Sequence, residues 1–160
     1  MEQFTPAISY YHGNKEKAVF MLENSGVYSE LLDHLKAKEA PPIICTHGQI
    51  KLANLILLDK LTQNGTTVYY SGDFDPEGLL IAQRLLLRYG SRLKLWHYGL
   101  EDYRCSLSEV ELEDSRINKL QGVLAPELAQ VRDEMKKYKK AAYQEHFVER
   151  LVADMETYLR

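Results

Sequence analysis

The chain has 160 residues, of which 45% are hydrophobic, 27% charged and 10% aromatic, and its formal net charge is −3. These values describe one globular domain, or one domain with a helical extension, and exclude disorder over most of the length. They exclude a membrane span as well: no run approaches ~18 apolar residues, and the richest, Leu52 to Leu61, is interrupted by Asn54, Asp59 and Lys60. The N-terminus MEQFTPAISYY has neither a basic start nor an apolar core, so no signal peptide is visible. Cys45 and Cys105 make no disulfide framework, and a reducing cytoplasm is the expected compartment.

Taken in order, residues 1–17 read as an irregular arm or linker containing Tyr10, Tyr11, His12, Gly13 and Asn14. Ala18 to Glu23 (AVFMLE) is a short apolar run expected to be a buried strand, and Asn24-Ser25-Gly26 carries a helix-cap signature. Val27, Leu31, Leu32 and Leu35 keep helical spacing towards Lys38. Pro41-Pro42 interrupts the chain before a second strand, IICT, then a turn at His47-Gly48-Gln49 and a helix over Ile50 to Leu61. After Asn64-Gly65, the β-branched and aromatic Thr66 to Tyr70 form a third strand. The segment GDFDPEG opens a helix to about Tyr89, Gly90 ends it, and Leu93 to Tyr98 is the fourth strand.

Strands alternating with helices predict an α/β fold with a parallel four-stranded sheet, Rossmann-like in plan, joined by right-handed crossovers. Beyond Tyr103 the pattern changes. Ser106 to Leu120 is polar with weak helical periodicity, while Leu128, Val131, Met135 and Tyr138 mark one helix and Phe147, Leu151, Met155 and Leu159 another. Residues 104–160 are therefore expected to be a helical extension packed on an α/β domain of residues 18–103.

In open parallel sheets, functional groups gather at the carboxyl ends of strands. Glu23 ends the first expected strand, and Asp73 and Asp75 end the third. Two carboxylates one residue apart point the same way in extended chain and repel unless a proton or cation joins them. Mg²⁺ or Mn²⁺ suits such oxygen ligands and can activate water for attack on a phosphoryl group. A plainer reading is also open: Asp75 before Pro76 is an ordinary helix N-cap, although that leaves Asp73 unexplained. Glu23 alone is more often a solvated strand end or a cap partner than a ligand. His47 is an auxiliary candidate, or a hydrogen-bonded turn residue. Cys45 reads as a core residue, and no glycine-rich nucleotide fingerprint follows any strand. Lys136, Lys137, Lys139 and Lys140 form either a solvated basic face or a phosphate-contacting patch.

The segment YYSGDFDPEGLLIA, Tyr69 to Ala82, resembles the D-x-D-P-x-G segment of Toprim domains, in the form found in the topoisomerase VI A subunit and related meiotic double-strand-break proteins. VFMLENSGVYSELL, with Glu23, is similar to the acidic strand end that precedes D-x-D there. PPIICTHGQIKLANLILLDKL resembles a bacterial set of Toprim-like C-terminal domains similar to the D subunit of Wadjet anti-plasmid systems. The likeness covers about Ala18 to Tyr103, with a weaker echo at Tyr143-Gln144-Glu145 that makes Glu145 a second auxiliary candidate.

This resemblance implies a Toprim fold and Mg²⁺-dependent phosphodiester chemistry on DNA, with Glu23 as general acid/base or metal ligand and Asp73 and Asp75 as ligands. Full-length relatives carry a DNA-binding region ahead of the Toprim domain, and nothing in this sequence corresponds to it. The expected partners are therefore DNA, that region and a defence-complex partner, with no membrane. The topoisomerase relatives use a tyrosine on the DNA-binding region, and none of the 11 tyrosines here is marked for that task, so hydrolysis by water is expected. The competing function is a non-catalytic Toprim-like module that assembles with a partner. Metal binding at the three acids separates the two.

Overall fold

A computed structural model describes residues 17–35 and 41–159. The arm expected over residues 1–17 and the extension of the first helix to Lys38 lie almost entirely outside the described residues.

The first 80 described residues build an open parallel sheet. Its strands are β1 (Ala18–Leu22), β2 (Ile43–Cys45), β3 (Thr67–Ser71) and β4 (Leu93–Leu95), in the spatial order β2-β1-β3-β4. The connecting helices are α1 (Ser25–Leu35), α2 (Leu52–Gln63) and α3 (Pro76–Tyr89). Central β1 is apolar at every position because it is covered on both faces, and no residue in it is more than 5% exposed. Right-handed crossovers place α2 and α3 on one face and α1 on the other. Val27 and Leu31 of α1, Leu58 and Leu61 of α2, and Leu79, Ala82 and Leu85 of α3 close the two halves of the core.

Register carries the acids to one place. Leu22 pairs with Cys45 on one side and with Ser71 on the other, so Glu23 and Gly72 stand one step beyond the last rung of neighbouring strands. The chain leaves β1 towards β2 and returns to β3 on the far side of β1. The β1/β3 boundary is therefore the topological switch point, where an open α/β sheet leaves a crevice at its carboxyl edge.

The remaining chain adds α4 (Leu100–Cys105), β5 (Leu107–Glu111), α5 (Asp114–Ile117), α6 (Ala129–Tyr138), β6 (Lys140–Ala142) and α7 (Val148–Leu159), with short 3₁₀ turns between them. Helix α7 packs on α1. Two expectations need correction. The fourth strand stops at Leu95 rather than Tyr98, because His97 takes a left-handed φ of 46° and turns the chain away. Tyr98 then points into the core, 1% exposed. The polar stretch after Ser106 holds a strand, β5, which pairs antiparallel with β6.

This second ribbon is tied to the main sheet through Phe74. Its N–H donates to the Ala142 carbonyl (2.7 Å) and its carbonyl accepts from the Ala142 N–H (2.9 Å). The ring of Phe74 is fully buried, stacked on Tyr98 at 4.5 Å and set edge-on to Tyr103 and Phe147. The middle residue of D-x-D is thus an anchor, and the two acids flank it.

Candidate functional site

Each residue of Gly72-Asp73-Phe74-Asp75-Pro76-Glu77-Gly78 has a separate physical task. A Cβ on residue 72 would meet Glu23 Oε2 at 2.6 Å and the Tyr70 hydroxyl at 2.8 Å, so glycine is what lets the Glu23 carboxylate lie across the end of β3. Asp75 is the N-cap of α3: its Oδ1 accepts from the Gly78 N–H at 2.7 Å, and Pro76 occupies the first helical position. Gly78 lies against the Asp73 carbonyl, and a Cβ there would sit 3.0 Å from the Tyr98 hydroxyl. Tyr98 donates to that same carbonyl at 2.8 Å, which fixes the backbone between the two aspartates.

The extension reaches into the site. The Gln144 N–H donates to Asp73 Oδ1 at 2.8 Å. Glu145 accepts from Asn24 Nδ2 at 3.1 Å, while Asn24 Oδ1 caps α1 by accepting from Gly26 (2.8 Å) and Val27 (3.2 Å). A cleft of about 300 Å³ opens here, lined by Glu23, Asn24, Ser25, His47, Gly48 and Asp73. His47 is exposed with a left-handed φ of 54°, and its turn is pinned to β1 by the Gly48 N–H donating to the Glu23 carbonyl at 3.1 Å.

A family model described as "Protein of unknown function C-terminus (DUF2399)" matches residues 6–155. The chain belongs to the DUF2399 family. No curated protein matches the chain.

Electrostatics in the DUF2399 site follow from burial and like charge. Burial first, then the nearby Asp73 and Asp75, push the Glu23 carboxyl from its ordinary 4.5 up to about 7. Asp73 is also raised, chiefly by burial and then by Asp75 and Glu145, against the opposing pull of the Gln144 N–H. Tyr70 and Tyr98, both buried beside these acids, are held well above the usual phenol range and remain neutral donors.

Asp75 is placed differently from the other two. Its Oδ2 accepts from Arg116 Nη2 at 3.0 Å, and the same nitrogen lies 2.6 Å from Glu77 Oε2. Arg116 and Lys119 hold Glu77 down at about 2. Both oxygens of Asp75 are thus in use, one by the helix cap and one by Arg116. Among the described residues, no three His, Cys, Asp or Glu side chains are arranged to hold a metal ion, although Glu23, Asp73 and Asp75 are close enough to repel one another. The two statements agree once Asp75 is seen turned towards α3 and Arg116. A hard divalent cation fits the oxygen donors of Glu23 and Asp73 that face the cleft. Asp75 fits it only on leaving Arg116.

The structure therefore brings Glu23, Asp73, Asp75, His47 and Glu145 to one sheet edge of the DUF2399 domain. The lysine cluster is less available than its sequence suggests. Lys139 Nζ pairs with Asp114 at 2.8 Å, Lys140 Nζ pairs with Glu109 at 2.9 Å, and Lys137 lies over the Tyr138 ring. Arg116 carries no sequence signal as a site residue, and Gln144 stands only within the Tyr143-Gln144-Glu145 echo. Gln144 is fully buried, and its side-chain amide meets no partner among the described residues.

Proposed function

We propose that this DUF2399 domain is a Toprim-like catalytic domain for metal-dependent hydrolysis of DNA phosphodiesters, within a bacterial defence protein akin to the Wadjet D subunit. The observation that carries the reading is the meeting of Glu23 and Asp73 at the switch point, in a cleft whose Asp73 and Asn24 are bonded by Gln144 and Glu145 of the extension. A divalent cation, Mg²⁺ or Mn²⁺, held by Glu23 and Asp73 would supply polarisation of a phosphoryl oxygen and an acidified water. With its carboxyl raised to about 7 by burial and the two aspartates, Glu23 would serve to hold or release a proton in the cleft. The Gln144 N–H holds one oxygen of Asp73, leaving the other towards the cleft. Water is the nucleophile in this reading. Tyr70 and Tyr98, the tyrosines nearest the acids, are fully buried, and Tyr98 is bonded to backbone.

With two of its four lysines paired to acids, the Lys136–Lys140 cluster gives weak, salt-sensitive hold on DNA. Efficient cleavage then calls for a DNA-binding region or a partner. The test is cleavage of supercoiled plasmid with Mg²⁺ or Mn²⁺ by this chain, alone and with a DNA-binding region or partner supplied, against EDTA and Asp73→Asn. Metal-dependent nicking lost in the variant is expected. Failure to cleave in either setting, with no calorimetric Mn²⁺ binding, overturns the reading.

One observation favours a second reading, a non-catalytic Toprim-like module for assembly. The ion pair of Asp75 with Arg116 builds the second aspartate into the fold as a structural cap. Absence of Mn²⁺ binding in wild type would select it.

A further inference from the structure

Apart from the acid cleft there is a second and larger recess that the phosphodiester reading leaves without a role. It is a groove of about 530 Å³ between α2 and α3, within the ~300–1,000 Å³ range of small-ligand pockets. Its floor is aliphatic, formed by Ile50, Leu55, Leu80, Ile81 and Leu85. Its wall is basic: Arg84, Arg88 and Lys119 line it against one carboxylate, Glu77. In a chain of net charge −3, this is a local inversion of sign.

The cations are not equivalent. Arg88 is clamped by Asp59 through two hydrogen bonds of 2.9 and 2.6 Å. Lys119 is held by Glu77 at 2.8 Å. Arg84 is exposed and makes no ion pair among the described residues. It stands on the α3 face that carries Glu77, Leu80, Ile81 and Arg88 at helical spacing. A guanidinium on an aliphatic groove, with no hydrogen bond from its donors among the described residues, suits a phosphate bound two-pronged. The aliphatic floor suits the flat face of a ring attached to it. In the chain, Gln49 of the groove directly follows Gly48 of the acid cleft.

We propose that the α2/α3 groove binds a nucleoside monophosphate unit, with the base on the Leu55–Leu80–Ile81 floor and the phosphate on Arg84. Its role as the flanking-nucleotide pocket of the phosphodiester site rests on the function proposed above. Its ligand chemistry rests on the groove alone. The unit comes either from a DNA strand or from a free nucleotide.

The test is calorimetric titration in EDTA at low salt with deoxyadenosine 5′-monophosphate, inorganic phosphate and a short single-stranded oligodeoxyadenylate. Wild type should bind the nucleotide at least about tenfold more tightly than phosphate, because only the nucleotide covers the floor. Arg84→Glu should weaken nucleotide binding about tenfold or more, with an unchanged melting temperature. Lys60→Glu, an equal charge reversal on exposed α2 outside the groove, should leave binding intact. An oligonucleotide that competes with the nucleotide identifies a strand as the source, and one that does not identifies the free nucleotide. Equal nucleotide affinity in Arg84→Glu, phosphate binding as tight as nucleotide, or no nucleotide binding overturns the proposal. Mn²⁺ titration of the same proteins reports on the acid cleft separately. Nucleotide binding without Mn²⁺ binding sinks the metal reading and leaves the groove standing, and the converse result sinks the groove alone.

Discussion

Replacing Glu23 with Gln isolates the electrostatic cost of gathering acids at the sheet edge. In the unfolded chain this carboxyl titrates near 4.5, and in the fold it titrates near 7. Between those values the folded protein keeps a proton that the unfolded chain has lost, so wild-type stability falls as pH rises from 4.5 to 7 and levels off above. At ~1.4 kcal/mol for each tenfold change in proton affinity, the full penalty is about 3 kcal/mol. Gln is near-isosteric, keeps an oxygen to accept from Tyr70, and never ionises. Glu23→Gln should thus match wild type near pH 4.5 and exceed it by up to about 3 kcal/mol above pH 7 in EDTA. For a chain of this length that is roughly 6–12 °C in melting temperature. The assay is thermal and urea denaturation of both proteins at intervals from pH 4.5 to 8.5, read as a difference curve so that other titrating groups cancel. Millimolar Mn²⁺ should reverse the ranking at high pH, since only wild type gains by ligand linkage. Difference curves flat across the whole interval would refute the argument that Glu23 is both buried and crowded by Asp73 and Asp75.

Phe74→Ala should cost ~3–5 kcal/mol in urea unfolding, because the ring is fully buried among Tyr98, Tyr103 and Phe147; a loss under 1 kcal/mol would deny it the anchoring role. Asp75→Asn keeps a good N-cap but loses the Arg116 pair, so it should destabilise by less than Asp75→Ala, which loses both and should cost ~1–2 kcal/mol; equal melting temperatures for the two variants would contradict that division. His97 is raised above its ordinary 6.5, first by its hydrogen bond to Asp102 and further by Asp154. Its contribution is therefore present in full below 6.5 and is lost as pH rises through the higher folded value. His97→Gln melts should diverge from wild type at pH 6 and converge at pH 9, and divergence at pH 9 alone would reverse the sign.

Local pattern was sufficient for the sheet and the placement of its acids. An all-apolar AVFML, a β-branched TTVYY and the Asp-Pro start of α3 each signal one structure. The ribbon β5–β6 was hidden because it violates the binary pattern. Ser108 is 9% exposed and bonds the Ala141 carbonyl, whereas Val110 is 46% exposed. Polar-in and apolar-out leaves no readable alternation. Strand β6 has only three residues and follows α6 directly through Lys139, whose left-handed φ of 52° ends the helix without a glycine. The Arg116 contact to Asp75 spans 41 residues, and side-chain pairing at that separation has no local signature. The cap at Asp75 was readable from Asp-Pro, but its second partner was not.

The Phe74–Ala142 bridge has a consequence for the order in which the protein is made. Asp73 receives its N–H from Gln144, 71 residues later, and Asn24 meets Glu145 across 121 residues. On a ribosome adding ~5–20 residues per second, roughly 4–14 seconds separate the synthesis of Asp73 from that of Gln144. Throughout that interval the nascent chain holds Glu23, Asp73 and Asp75 without the ribbon that seats Phe74 and orients Asp73. The acid edge is completed only by the last part of the chain, so a stalled or truncated product ending before residue 142 carries the acids but not the assembled site.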